Sequence, residues 1–370
     1  MRFSVCIKGI TNRRKTAQAF FYEMDSRKHM TKRNATSADV AILAGVSQST
    51  VSRSFDPDSR ISEATRQRVF AAAEQLGYQI NKAAQTMIKK RSDLVGLVTA
   101  GLEDPFRSEF LHKLIVEVQN CGLRPMVMDV SNQQTIDEEL HGLIQYQLSG
   151  VIITSGTPSE NIGKAFIRHG IPVVLVNRTE HSDEADIVNL DNEGAGAIAA
   201  EAFMKSGKTN LVVVRAKKPS FSSVMRAKGF LNYLASHINN DEIQVTEVLC
   251  KTGNYDSGYQ IADKILTSQH KPDGVFFCMD HIACGFLDAA KQLITAKEMQ
   301  SIGVIGCDDI ALARFKAYDL TTVKQPSTEI AKAAVQTLLN RLKYPTSAPS
   351  KQAIPAELIY RSTLAKPITD

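Results

Sequence analysis

Beyond residue 93 the chain repeats one pattern: a short apolar run bounded by turn formers, then a stretch with helical spacing. The apolar runs are Leu94–Val98, Pro125–Val130, Val151–Thr154, Val173–Val176, Ile187–Leu190, Leu211–Val214, Val245–Leu249, Val275–Cys278 and Ile302–Ile305. Helical patterns at Phe110–Asn120, Ile162–His169, Gly196–Lys205, Met225–Ala235, Gly258–Leu266 and Ala283–Leu293 separate most of them. Strands that are apolar throughout and alternate with helices predict parallel sheets covered on both faces. About ten such strands in one stretch predict two similar sheets, each wound by helices. Ligands of such folds lie beyond the carboxyl ends of the strands, here in a cleft between two lobes.

The pattern before residue 93 is different. Thr36-Ser-Ala-Asp39 places a hydroxyl at a helix cap with a carboxylate three residues later, and Val40, Ala41, Leu43 and Ala44 supply an apolar face. Gly45-Val46-Ser47 predicts a tight turn, with Ser47 capping a short helix over Gln48–Ser54. In that helix only Val51, with Phe55 just beyond, reads as core. The other side chains are hydroxyls, an amide and a guanidinium, groups suited to base edges and phosphates. A third helix, capped by Ser62, runs through Val69, Phe70, Ala73 and Leu76 to Gly77. Two helices joined by a glycine turn, the second short and polar, predict a helix-turn-helix.

Charge sharpens this reading. Residues 1–92 carry 17 Lys and Arg against 7 Asp and Glu, whereas the remainder holds 27 against 32. A basic quarter joined to an acidic body predicts a polyanionic partner for the basic end. Of the 370 residues, 43% are apolar and 22% charged, as in ordinary soluble proteins, and no apolar run reaches membrane-spanning length. The N-terminus has no apolar signal-peptide core. Six scattered cysteines without a Cys-x-x-Cys pair suit a reducing cytoplasm and neither disulfides nor a zinc site.

Two enzyme-like motifs weigh little. Gly194-Ala-Gly196-Ala-Ile-Ala199 matches a relaxed dinucleotide pattern, but Asp191 and Glu193 put carboxylates where a pyrophosphate would dock. Close helix packing accounts better for its glycines. Ser206-Gly-Lys-Thr209 lacks the first glycine of a phosphate loop and lies between a helix and a following strand, the reverse of the required order. No catalytic constellation is found, so neither an enzyme nor a cofactor is expected. The strand ends offer a better site: Asn177-Arg178, Tyr255 and Asp308-Asp309, with Arg226 opening a helix, bring the amide, carboxylate, guanidinium and aromatic groups that hydroxyl-rich ligands need.

Asp39-Val-Ala-x-x-Ala-Gly-Val-Ser47, Thr50-Val-Ser-Arg53, Ile61-Ser-x-x-Thr-Arg66, Ala73-x-x-Leu-Gly-Tyr78 and Asn81 together resemble the LacI/GalR family of transcriptional regulators, and the resemblance runs from residue 31 to about 364. It implies DNA contact by Thr36, Ser47, Gln48, Ser49, Thr50, Ser52 and Arg53. Gln48 and Ser49 fall where operator sequence is set, Gln48 suited to adenine and Arg53 to guanine. Residues 81–92 would form a hinge helix entering the minor groove through Asn81, Ala84 and Met87, where Met87 stands in the place of the family's wedging leucine. The resemblance further implies effector contacts by Asp104, Phe106, Asn177, Arg226, Asp308 and Gln325, with Tyr255 as an aromatic wall. Met279 replaces a usual amide, which makes the site less polar, and Asp280 is expected to be a structural cap.

The expected architecture is α/β. Residues 1–29 are a disordered extension or the product of a mis-called start, 30–80 a helix-turn-helix domain, 81–92 a hinge, and 93–370 a two-lobed, periplasmic-binding-protein-like effector and dimerisation domain. Lobe 1 takes about 93–190 and 325–350; lobe 2 takes about 191–324 and part of the tail, where Ile354–Leu364 is expected as one strand. The expected function is a cytoplasmic, homodimeric regulator, chiefly a repressor. Its partners would be a pseudo-palindromic DNA operator and a sugar, sugar acid or sugar phosphate, with no membrane. The alternatives are a sugar-binding protein without DNA and a dehydrogenase built on the Gly194 motif.

Overall fold

A computed structural model describes residues 35–56, 59–79, 92–131, 142–154, 161–178, 184–217, 220–237 and 243–366. The expected extension at 1–29 and the hinge residues Asn81, Ala84 and Met87 lie outside them. The chain divides near residue 88 into two compact units.

The first unit holds α1 (Ser37–Ala44), α2 (Gln48–Ser54) and α3 (Glu63–Leu76). Thr36, Ser47 and Ser62 each accept a backbone N–H as helix cap, and Gly45 and Gly77 close α1 and α3 in the left-handed conformation. Val40, Ala41, Ala44, Val51, Val69, Ala72 and Ala73 form the core. Leu43, Phe70 and Leu76, expected inside, are exposed instead. Short helices leave room at the centre for alanine and valine, so the larger side chains flank it, and Phe70 packs on Phe55 at 4.9 Å.

In the second unit, lobe 1 is built on β1 (Leu94–Thr99), β2 (Arg124–Asp129), β3 (Gly150–Ile153), β4 (Val173–Val176), β5 (Asp186–Leu190) and β11 (Lys351–Ile354). These form one parallel sheet of order β11-β5-β4-β3-β1-β2. Its helices are α4 (Pro105–Asn120), α5 (Asn161–Arg168) and α11 (Ser327–Lys343). Successive side chains alternate between faces, as strand geometry requires: Ile152 and Val174 enter one core, Val151, Val173 and Leu175 the other.

Lobe 2 repeats the plan with β6 (Asn210–Ala216), β7 (Gln244–Cys250), β8 (Gly274–Phe277), β9 (Gly303–Asp308), β10 (Thr321–Lys324) and β12 (Glu357–Ile359), ordered β12-β10-β9-β8-β6-β7. Only β12 runs antiparallel. Helices α6 (Asn192–Lys205), α7 (Phe221–His237), α8 (Tyr255–Leu266), α9 (Asp280–Leu293) and α10 (Ala296–Ser301) cover it. The chain crosses between lobes at Asp191, at Gln325-Pro326 and after Ile354. The tail expected as one strand is therefore two, with Pro355 at the break and one piece in each sheet.

Candidate functional site

On the first unit, Gln48, Ser49, Ser52 and Arg53 share the exposed face of α2, while Val51 and Ser54 face the core. Thr36 is spent on a capping box: its N–H and hydroxyl both donate to Asp39 Oδ2, at 2.8 and 2.7 Å. Ser47 accepts from Thr50 N at 3.2 Å and lies 2.8 Å from the hydroxyls of Ser49 and Thr50. Both residues therefore hold the helices in place in the free protein. Gln48 Nε2 donates to Ser37 Oγ at 2.8 Å, which ties the exposed amide to the start of α1. Arg66 was not singled out as a site residue. It donates to the carbonyls of Ser54, Asp56 and Ser59, fastening the C-terminal end of α2 to α3 and complementing the helix dipole there.

In the second unit the cleft between the lobes holds a small cavity of 30 Å³, lined by Asp104, Phe106, Arg107, Asn177, Ser220, Ser222, Arg226, Met279, Asp308 and Gln325. All the expected effector residues except Tyr255 are brought together here. A larger cavity of 210 Å³ shares Phe106, Asp308 and Gln325 with it. Another of 520 Å³, on the Asp191 crossover side, includes Arg178, Asn189, Asn192 and Phe221.

A closed ring of buried hydrogen bonds joins both lobes to two crossovers. Asn177 at the end of β4 donates to Gln325 Oε1 at 3.2 Å, and Gln325 donates to Asp308 Oδ1 at 2.5 Å. Arg226 Nη1 donates to the same Asp308 oxygen at 2.9 Å, and its Nε donates to Asn192 Oδ1 at 3.0 Å. Asn192 then donates to the carbonyl of Leu190, whose own N–H donates to Asn177 Oδ1 at 2.8 Å. Asn177, Asp308 and Asp309 all adopt positive φ, with values of 52°, 130° and 56°. Non-glycine residues seldom tolerate this, and such strain gathers where a site demands it.

Several details refine the expectations. Asp104 caps α4 by accepting from Phe106 N at 2.9 Å, so it borders the cavity from a fixed position. Tyr255 is not its aromatic wall: the hydroxyl donates to Asp288 at 2.6 Å, as does that of Tyr318, which turns the ring onto the α8–α9 face. Met279 does line the cavity. Asp280 is wholly buried and does not cap its own helix as expected: Met279 holds the cap position without a side-chain bond, and the Asp280 carboxylate instead accepts from Ile310 N and Thr322 Oγ1, tying α9 to β10 and the turn after β9. Burial, together with the charge of Asp308 nearby, raises its carboxyl to about 7.

Asn192, Ser222 and Arg107 were not foreseen. Ser222 stands one helical turn before Arg226, a spacing that puts both on one face of α7. The two enzyme-like motifs resolve as packing and chance. A methyl at Gly196 would sit 2.0 Å from the Arg226 carbonyl oxygen, and one at Gly229 would sit 2.0 Å from that of Glu193, so these glycines let α6 and α7 touch. Ser206 ends α6, and Lys208 reaches the carbonyl of Ser301.

A three-helix unit with an exposed polar second helix, carried with a two-lobed α/β domain whose cleft is lined by polar groups from both lobes, defines a DNA-binding regulator with a ligand-sensing domain. Residues 36–81 match the model of the bacterial regulatory proteins of the lacI family, and residues 95–345 that of a periplasmic binding protein domain. A sucrose operon repressor of Pediococcus pentosaceus is 30% identical over 332 residues, covering 87% of this chain and 97% of its own. The ribose operon repressor of Escherichia coli K12 is 26% identical over 321 residues, 84% and 94% of the two chains. A Lac repressor dimer bound to operator and the anti-inducer ONPF shares the fold at a TM-score of 0.79 and 24% identity, over 90% of this chain and 100% of that one. The chain belongs to the LacI family. It is a DNA-binding transcriptional regulator and not an enzyme.

Proposed function

We propose that this protein represses genes of carbohydrate metabolism as a cytoplasmic homodimer, releasing or gripping its operator as a sugar occupies the cleft between the lobes. The observation that carries the ligand half is the buried ring through Asn177, Gln325, Asp308, Arg226 and Asn192, which spans both lobes and two crossovers. Arg226 and Asp308 already neutralise each other, so the cavity favours an uncharged polyol whose hydroxyls both donate and accept. Asp104, Phe106, Asn177, Arg226, Asp308 and Gln325 are the proposed contacts. A sugar acts as a switch only through its affinity difference between two lobe arrangements.

On the DNA side, Gln48, Ser49 and Arg53 read bases, and Ser47, Thr50 and Ser52 hold phosphates; Thr36 fixes α1 at the backbone. Asn81, Ala84 and Met87 are assigned to the minor groove on sequence grounds. The proposed units are residues 30–80, 81–92 and 93–370. Reading by a dimer calls for two half-sites with matching symmetry. The test is to mix the full chain with sheared genomic DNA from its source, with and without ribose, sucrose and cellobiose, and to sequence what is retained. Enrichment of near-palindromes beside sugar genes, shifted by a sugar, supports the proposal; absence of enrichment under every condition overturns it.

A further inference from the structure

The amide of Gln48 is the least predetermined base reader on α2. A free glutamine amide carries two N–H donors and one acceptor, and it rotates easily. Against adenine it gives one donor to N7 and accepts from the N6 amino group; against guanine it gives donors to N7 and O6. Left to itself, such a side chain has a way to satisfy either purine.

Here it is not left to itself. Gln48 Nε2 donates to Ser37 Oγ at 2.8 Å, from the first turn of α2 to the first residue of α1, eleven positions away. Each end of that contact is built. Ser37 lies within the Thr36–Asp39 capping box, and Gln48 follows the Ser47 cap, so the two backbones are held by independent hydrogen bonds. With one N–H committed to Ser37, the amide offers outward one donor and one acceptor. That pair is the complement of adenine and leaves one of guanine's two acceptors opposite another acceptor.

We propose that Ser37 is a specificity-determining positioning residue: by holding one N–H of Gln48 it makes an amide able to read either purine into a reader of adenine. The proposal rests on the reading of Gln48 as a base contact. A bidentate pair discriminates by about 1–3 kcal/mol, or roughly five- to 150-fold in affinity.

The experiment is selection of operators from a random DNA pool by the full-length chain and by three variants, followed by affinity measurements on matched sites. Gln48→Ala identifies the base pair that Gln48 reads, as the position whose preference disappears. At that position the wild type should select adenine. Ser37→Ala should admit guanine, lowering the adenine-over-guanine ratio at least fivefold while every other position keeps its preference. Ser37→Thr, which retains the hydroxyl, should restore adenine. A merely structural role would instead weaken all sequences together and leave the ratio unchanged. Undiminished adenine preference in Ser37→Ala, or guanine preference in the wild type, overturns the proposal. Unchanged preferences in Gln48→Ala would overturn the underlying assignment of Gln48, which is a distinguishable result.

Discussion

Arg226 and Asp308 meet 2.9 Å apart with both side chains buried, one from the first turns of α7 and the other from the end of β9. Removing one partner of such a pair strands the other's charge away from water, at a cost of about 3–5 kcal/mol. Arg226→Met should therefore lower unfolding stability by about that amount in urea titrations. Adding Asp308→Asn should recover much of the loss, because the stranded carboxylate is then gone. Equal stability of the single and double variants would contradict the pairing.

Gly196 and Gly229 set the distance at which α6 passes α7, each facing a backbone carbonyl across the contact. Gly196→Ala has nowhere to put its methyl without separating the helices, and overpacking of this kind costs about 1–3 kcal/mol. The carbonyl it would strike belongs to Arg226 itself, so the displacement reaches the cavity. The variant should lose thermal stability and, where a sugar response exists in the wild type, lose a larger share of that response than of operator affinity. Calorimetry together with operator titrations checks both.

How much of this could be read beforehand follows a physical pattern. Apolar strands and helix midsections announce themselves through periodicity. The first turns do not, because capping residues and small polar groups replace the apolar ones there. The expected helices at Met225–Ala235, Gly196–Lys205 and Ala283–Leu293 begin at Phe221, Asn192 and Asp280. The turns missed on α6 and α7 hold Asn192 and Ser222, residues that build the cleft. Tyr255 went the other way. Its place near a strand end suggested the cleft, but its orientation is set by Asp288, 33 residues downstream, a partner that local spacing does not reveal. The exposed place of Gln48 on a polar helix was legible from spacing, whereas its bond to Ser37 depends on how α1 crosses α2.

Asp280 makes stability depend on pH. Its carboxyl is raised to about 7 in the folded protein, by burial first and by Asp308 next, against roughly 3.9 for an ordinary aspartate. The folded state thus holds a proton that the unfolded state has released between those values. Stability from this group is greatest below the unfolded value and falls by about 1.4 kcal/mol per pH unit up to the folded one. Burial, partly offset by Arg226, raises Asp308 as well, and because the two carboxyls raise each other the decline belongs to the pair. Asp280→Asn mimics the protonated form and should give a shallower decline between pH 4 and 7, with its advantage over the wild type largest above pH 7. Parallel curves for the two proteins in chemical denaturation would count against this.

Arg53 separates two kinds of DNA contact. It lies in the last turn of α2, exposed, and among the described residues its guanidinium makes a long 3.5 Å approach from Nε to the Ser49 carbonyl, so it can reach outward. If it forks onto guanine, Arg53→Ala should cost about 1–3 kcal/mol on the selected operator and relax preference at one base pair. If it holds a phosphate instead, binding should weaken evenly across sequences, and the slope of log affinity against log salt should fall by about one. The expected outcome is the first, because the flanking hydroxyls of Ser47, Thr50 and Ser52 are the proposed phosphate contacts. Operator and scrambled-duplex titrations at several salt concentrations distinguish the two: relaxed preference at one position supports base reading, and a reduced salt slope with unchanged preference assigns Arg53 to the phosphate backbone.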